Sequence, residues 1–126
     1  MATLEHVNLT VSDITATGRW LGAVFGWRER WKGGSIHNGT TAHVGDATSY
    51  IALYTPPDGP GQRSDESYFV RGGLNHVAVV VDDLDAVEAR VRAAGFAPHS
   101  HADYEPGRRF YFDDADGIEW EVVSYA

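Results

Sequence analysis

One segment of this chain occurs twice, and that repeat narrows the folds open to it. Gly73-Leu74-Asn75-His76-Val77-Ala78-Val79-Val80-Val81-Asp82-Asp83 is a near copy of Leu4-Glu5-His6-Val7-Asn8-Leu9-Thr10-Val11-Ser12-Asp13. In each copy a histidine begins a run of β-branched and aliphatic residues that ends at an aspartate seven positions on, so His6 matches His76 and Asp13 matches Asp83. Gly26-Trp27 against Gly95-Phe96, and residues 50–54 against 119–123, keep an offset of about seventy. Self-similarity of this kind across both halves implies two copies of one supersecondary unit.

Along residues 4–11, Val7, Leu9 and Val11 alternate with His6, Asn8 and Thr10, the period of a strand with one buried face, so His6 points away from that face. Ser12-Asp13 offers N-cap oxygens, and Trp20, Leu21, Val24 and Phe25 recur at helical spacing until Gly26. Strand-like runs follow at 27–32, 40–44 and 49–55, separated by turn signals at Gly33-Gly34, Asn38-Gly39 and Gly45-Asp46. The first half, 1–55, therefore reads βαβββ. Residues 56–73 hold three prolines and a polar run and read as an eighteen-residue connection, with Tyr68 and Phe69 pinning it as hydrophobic anchors or else tucking into a pocket. The second half, 74–126, repeats the plan. A strand over 74–82 precedes a helix with Leu84, Val87, Val91 and Ala94 on one stripe and Gly95 behind it. Strands are then expected at 96–100, 109–113 and 118–124, with turns at Glu105-Pro106-Gly107 and Asp116-Gly117. The expectation is a single α+β domain spanning 1–126, with apolar strand faces under the helices and the opposite faces lining a concavity.

A chain of 126 residues can bury a sizeable core unaided. The absence of cysteine excludes a disulfide framework, a thiolate metal site and a cysteine nucleophile. A formal net charge of −8 argues against nucleic acid as partner, because phosphate contacts need clustered cations. The only adjacent basic pair, Arg108-Arg109, reads as a solvated loop before a strand, or else as a receiver for an anionic substrate. The start has no secretory pattern and no apolar run reaches the roughly 18 residues of a membrane span, so a cytoplasmic protein without membrane contact is expected.

On the faces turned from the helices stand His6, His76 and, by parity with Glu119 and opposite to Trp120 and Val122, Glu121. Two histidines at matching places and one carboxylate suit a divalent ion, Fe, Mn, Ni, Co or Zn; a histidine that opens a strand as an ordinary polar residue is the other reading. The two βαβββ halves, the paired histidines and the ending Asp114-Ala115-Asp116-Gly117-Ile118-Glu119-Trp120-Glu121 resemble the vicinal oxygen chelate superfamily. That group includes glyoxalase I, methylmalonyl-CoA epimerase, fosfomycin-modifying enzymes, extradiol ring-cleaving dioxygenases and bleomycin-binding resistance proteins. The resemblance covers essentially the whole chain. It implies tandem modules whose mixed sheets curl into a cup with helices outside, a metal held by His6, His76 and Glu121, and a homodimer.

Departures from the family pattern narrow the activity. Glyoxalase I and the epimerase take a fourth ligand from the first module's last strand, where the offset places Ala52, flanked by Ile51 and Leu53. The fosfomycin enzymes need a cation-rich pocket, and Lys32 is the only lysine. A three-ligand site resembles the extradiol dioxygenases, with Fe(II) favoured and a small catechol-like substrate. Tyr111, ten residues before Glu121, matches in spacing the tyrosine that hydrogen-bonds a catecholate in those enzymes. His43 is similar to their acid/base histidine, His101 lies near a second one, and His37 and His99 read as surface or turn positions. A glyoxalase-type lyase or isomerase and a metal-free drug-binding protein are the alternatives, the latter suited by four tryptophans and six tyrosines.

Overall fold

The computed structural model describes residues 1–63 and 66–126; Ser64 and Asp65, inside the 56–73 connection expected from the sequence, lie outside the described residues. Two compact units divide the chain, Met1–Gln62 and Arg63–Ala126. The first holds β1 (His6–Thr10), α1 (Ile14–Phe25), β2 (Arg28–Gly34), β3 (Thr40–Gly45) and β4 (Tyr50–Thr55). The second holds β5 (Val77–Val80), α2 (Leu84–Ala93), β6 (His99–Tyr104), β7 (Gly107–Asp113) and β8 (Glu119–Ser124). Each unit is a βαβββ module with a four-stranded mixed sheet, in the orders β1-β4-β3-β2 and β5-β8-β7-β6. In both, the first strand runs parallel to the last and the other pairings are antiparallel.

The duplicated aspartates cap the duplicated helices. Asp13 accepts from the backbone N–H groups of Thr15 and Ala16 at 2.9 and 3.0 Å, and Asp83 from that of Ala86 at 3.0 Å. Gly26 (φ 74°) and Gly95 (φ 97°) supply the left-handed residues past the two ends. Leu21 and Val24 of α1 are buried with Leu9, Val44, Ile51 and Leu53; Val87 and Val91 of α2 are buried with Phe110, Phe112, Trp120 and Val122. Alternation then leaves the opposite face of each sheet to its polar residues. Among the described residues no helix is long and apolar enough to cross a membrane.

Two local expectations need correction. β2 runs straight through Gly33-Gly34, and the reversal is made by a 3₁₀ turn at Ile36–Asn38, where His37 and Asn38 both have positive φ and the Tyr54 hydroxyl donates to the Ile36 carbonyl at 2.7 Å. β6 begins at His99 instead of Phe96, because Phe96 closes the helix, its N–H donating to the Val91 carbonyl, while its ring stacks on Phe112. The connection carries a 3₁₀ turn at Ser67–Phe69.

The turn between β7 and β8 is tied by one buried carboxylate. Asp114 is only 8 % exposed and accepts from the N–H groups of Asp116 (2.9 Å) and Ile118 (3.0 Å) and from the Trp120 indole (3.1 Å). Burial pushes its carboxyl above the usual range, and the three hydrogen bonds oppose that shift. Replacing it by alanine leaves those donors without their acceptor, two of them backbone groups. Asp114→Ala is therefore expected to lower stability by about 2–4 kcal/mol, read as a fall in the urea midpoint with an unchanged slope.

Candidate metal centre and its flanking residues

The strand registers align the two modules residue by residue. In the first, His6 lies opposite Tyr50, Asn8 opposite Ala52, and Ala52 opposite His43. In the second, Ala78 lies opposite Glu121 and Glu121 opposite Tyr111. Ala52 is thus the counterpart of Glu121, and His43 the counterpart of Tyr111. The same ladders pair Trp31 with His43 and His99 with Tyr111.

In the second unit, His76 stands one residue before β5 and Glu121 sits mid-strand in β8, 7 % exposed. His76 Nε2 approaches Glu121 Oε1 at 3.1 Å. The other side of the ring faces the connection: Nδ1 lies 3.1 Å from the Tyr68 hydroxyl, which also donates to Glu119 Oε1 at 2.9 Å. Arg109 donates through Nη1 to Glu121 Oε2 at 3.0 Å, and its guanidinium lies 5.2 Å from the Tyr104 ring centroid. The expected solvated loop at Arg108-Arg109 is thereby corrected: both residues belong to β7, Arg108 pairing outward with Asp85 and Arg109 pairing inward with Glu121. Tyr111 packs edge-on against His76, with ring centroids 5.7 Å apart. Burial, and then the charge and hydrogen bond of Glu121, push the Tyr111 phenol above its ordinary value and keep it a donor at neutral pH.

Histidine placement also differs from the sequence expectation. His101 bonds Glu88 of α2 at 3.0 Å and stacks on Phe110, so it belongs to the helix side. His99 is the histidine beside Tyr111, with centroids 6.3 Å apart and Asp113 Oδ2 3.4 Å from its Nε2. The cause is the irregular β6–β7 register between His99 and Ala102, where Ser100 takes φ 56° and the strand's alternation is reset. A bulge of this kind leaves little trace in residue type. His37 does sit at the exposed turn expected of it.

In the first unit the matching face is aromatic. His6 and His43 each stack on Tyr50, at 4.8 and 4.5 Å, and Trp31 tilts against His43 at 5.2 Å. Arg30 lies over Tyr50, 4.6 Å from its centroid. Glu5 accepts from both His6 Nδ1 (2.9 Å) and the Tyr50 hydroxyl (3.2 Å), which holds its carboxyl below the usual range. Desolvation, with His6 and Arg30 adding to it, lowers the His43 imidazole, so His43 is neutral and able to accept a proton at neutral pH.

The donors suit a divalent ion. In both histidines Nδ1 is engaged by a neighbouring side chain, the usual arrangement around a ligating imidazole, and in His76 Nε2 faces Glu121. Arg109 occupies one oxygen of Glu121 and leaves the other beside His76. Among the described residues no group of three such side chains is preassembled, so the pair in the second unit calls for a further donor.

The chain belongs to the glyoxalase/bleomycin resistance protein/dioxygenase superfamily, whose model matches residues 3–122. Among solved structures, a glyoxylase/bleomycin resistance protein/dioxygenase domain from Frankia sp. EAN1pec shares 29 % identity over 98 % of both chains with a TM-score of 0.82. The fosfomycin resistance protein FosX from Mesorhizobium loti shares 24 % identity over 98 % of this chain and 91 % of its own, with a TM-score of 0.74. A FosX variant from Listeria monocytogenes, complexed with Mn(II) and 1S,2S-dihydroxypropylphosphonic acid, shares 22 % identity over 98 % and 92 % of the chains with a TM-score of 0.75. No curated protein matches the chain.

The depressed His43 value carries a sign. A group protonated less readily in the folded than in the unfolded chain contributes stability above its ordinary pKa, and that contribution is lost as pH falls through it. Urea midpoints at about pH 7.5 and about pH 5.5, on either side of the ordinary histidine value, are therefore expected to fall further in the native protein than in His43→Gln.

Proposed function

We propose that the protein is a divalent-metal enzyme in which His6, His76 and Glu121 hold the ion, Fe(II) in the favoured case, and that it oxygenates a small catechol-like substrate. The observation that carries this reading is the equivalence of Ala52 and Glu121 in the repeat: the first module has a methyl group at the position where the second has its carboxylate. When bound, the metal would supply Lewis-acid and redox chemistry toward vicinal oxygens and dioxygen. Extradiol cleavage inserts both atoms of dioxygen into the substrate and needs no further reductant.

The residues of the chain divide the remaining work. Tyr111, a protonated phenol beside Glu121, donates a hydrogen bond to a substrate oxygen. His43, neutral and at the matching place in the other module, accepts the catechol proton. Trp31, half exposed next to His43, offers a flat apolar surface to an aromatic ring. Arg109 donates to Glu121 and fixes its orientation. Mn(II) in the FosX complex supports a divalent ion on this fold. Assembly as a homodimer belongs to the same proposal, and light scattering that found only a 13.8 kDa species would remove that part of it.

Two measurements test the reading. His76→Ala and Glu121→Ala are expected to lose most of the metal found in the native protein by mass spectrometry, and full retention would place the site elsewhere. With anaerobically iron-loaded protein, an oxygen electrode is expected to record uptake on a catechol panel, reduced about tenfold or more in Tyr111→Phe with the iron retained. Absence of uptake, together with turnover of a methylglyoxal hemithioacetal, would establish the lyase alternative instead.

A further inference from the structure

Tyr68 was expected from the sequence to anchor the connection through its ring. The residue is 57 % exposed, so anchoring is a poor account of it, and its two polar contacts are on the hydroxyl. A phenol has one proton to give. Glu119 is a carboxylate and can only accept, so the hydroxyl proton goes to Glu119 Oε1 at 2.9 Å. The lone pair that remains faces His76 Nδ1 at 3.1 Å and can be satisfied only if that nitrogen carries hydrogen. Direct contact between Nδ1 and Glu119 is longer, at 3.6 Å, so the phenol is the effective link.

We infer that Tyr68 is a positioning residue: the relay His76 Nδ1–H to Tyr68 to Glu119 holds the imidazole in its Nδ1–H tautomer and turns a bare Nε2 towards Glu121. The inference rests on the metal role proposed for His76. Without the relay, Nε2–H would donate to Glu121 Oε1, 3.1 Å away, and the two would close on each other as an ordinary hydrogen bond. With it, two acceptors face one another, an arrangement that a cation resolves. The relay also makes a connection residue part of the centre, since Tyr68 belongs to the Ser67–Phe69 turn while His76 and Glu119 flank the β5–β8 pair.

The test reads the tautomer first, without metal. At about pH 8, where a free imidazole is neutral, the ¹⁵N shifts of His76 are expected to report a protonated Nδ1 in the native protein and in Glu119→Gln, whose amide oxygen still accepts. Tyr68→Phe is expected to move them to the Nε2–H form, with an unchanged melting temperature because the residue is exposed. Isothermal titration with Co(II) is then expected to give about tenfold or more weaker binding in Tyr68→Phe, the usual scale for a lost hydrogen-bond partner of a ligating histidine. A native His76 that carries hydrogen on Nε2, alone or together with Nδ1, or a Tyr68→Phe protein with unchanged tautomer, overturns the inference. Should the tautomer move while the native protein binds no Co(II), the relay stands and the metal reading falls.

Discussion

The facing of the polar residues of β8 depends on the buried carboxylate of Asp114. Its hydrogen bonds to Asp116, Ile118 and Trp120 close the β7–β8 turn and seat the Trp120 indole in the core. With Trp120 pinned on the helix side, alternation puts Glu119 and Glu121 on the other. A slip of one residue would exchange them and bury two carboxylates against Phe110 and Phe112, while moving Trp120 into solvent. The Asp-x-Asp-Gly run that carries the family resemblance is therefore structural in its first member. Glu121 at its far end lies where it does because the turn admits one register.

Duplication gives two equivalent faces, and the chain has filled them differently. In the first module the matched positions hold His6, Tyr50, His43, Trp31 and Ala52, a set dominated by stacked rings. In the second they hold His76, Glu119, Tyr111, His99 and Glu121, a set dominated by ionisable groups in contact. Both modules retain a histidine at the start of the first strand, with its Nδ1 engaged by a neighbouring side chain. One backbone plan thus carries an aromatic cluster in one copy and a polar cluster in the other.

The features legible in the sequence are those set by local chemistry or by parity. Asp13, Asp83, Gly26 and Gly95 mark the helix ends through capping rules that need no tertiary information. Glu121 could be assigned a face because it alternates with Trp120 and Val122 in an unbroken strand. His99 and His101 exchanged sides because one residue at positive φ, Ser100, reset the alternation, and nothing about a serine announces that. Gly33-Gly34 looked like a turn because glycine tolerates turns, yet β3 supplies ladder partners that extend it. Arg109 and Tyr68 were missed for a different reason: their roles lie in which side chain sits across the strand or across the connection, and composition carries no record of it.

The charges around Glu121 show why these missed residues matter. A carboxylate this buried is costly without compensation. Arg109 supplies one charge-assisted hydrogen bond to Oε2, and His76 stands at Oε1. The Tyr68 hydroxyl at Nδ1 and the Glu121 oxygen at Nε2 make two demands on one ring, and a neutral imidazole has one proton with which to meet them. The Tyr68–Glu119 arm has its own carboxylate and its own donor, and its demand on Nδ1 opposes protonation at Nε2 in a neutral imidazole. On the proposed tautomer, the second module holds a histidine that offers a lone pair towards an anionic oxygen, an arrangement that a divalent cation stabilises.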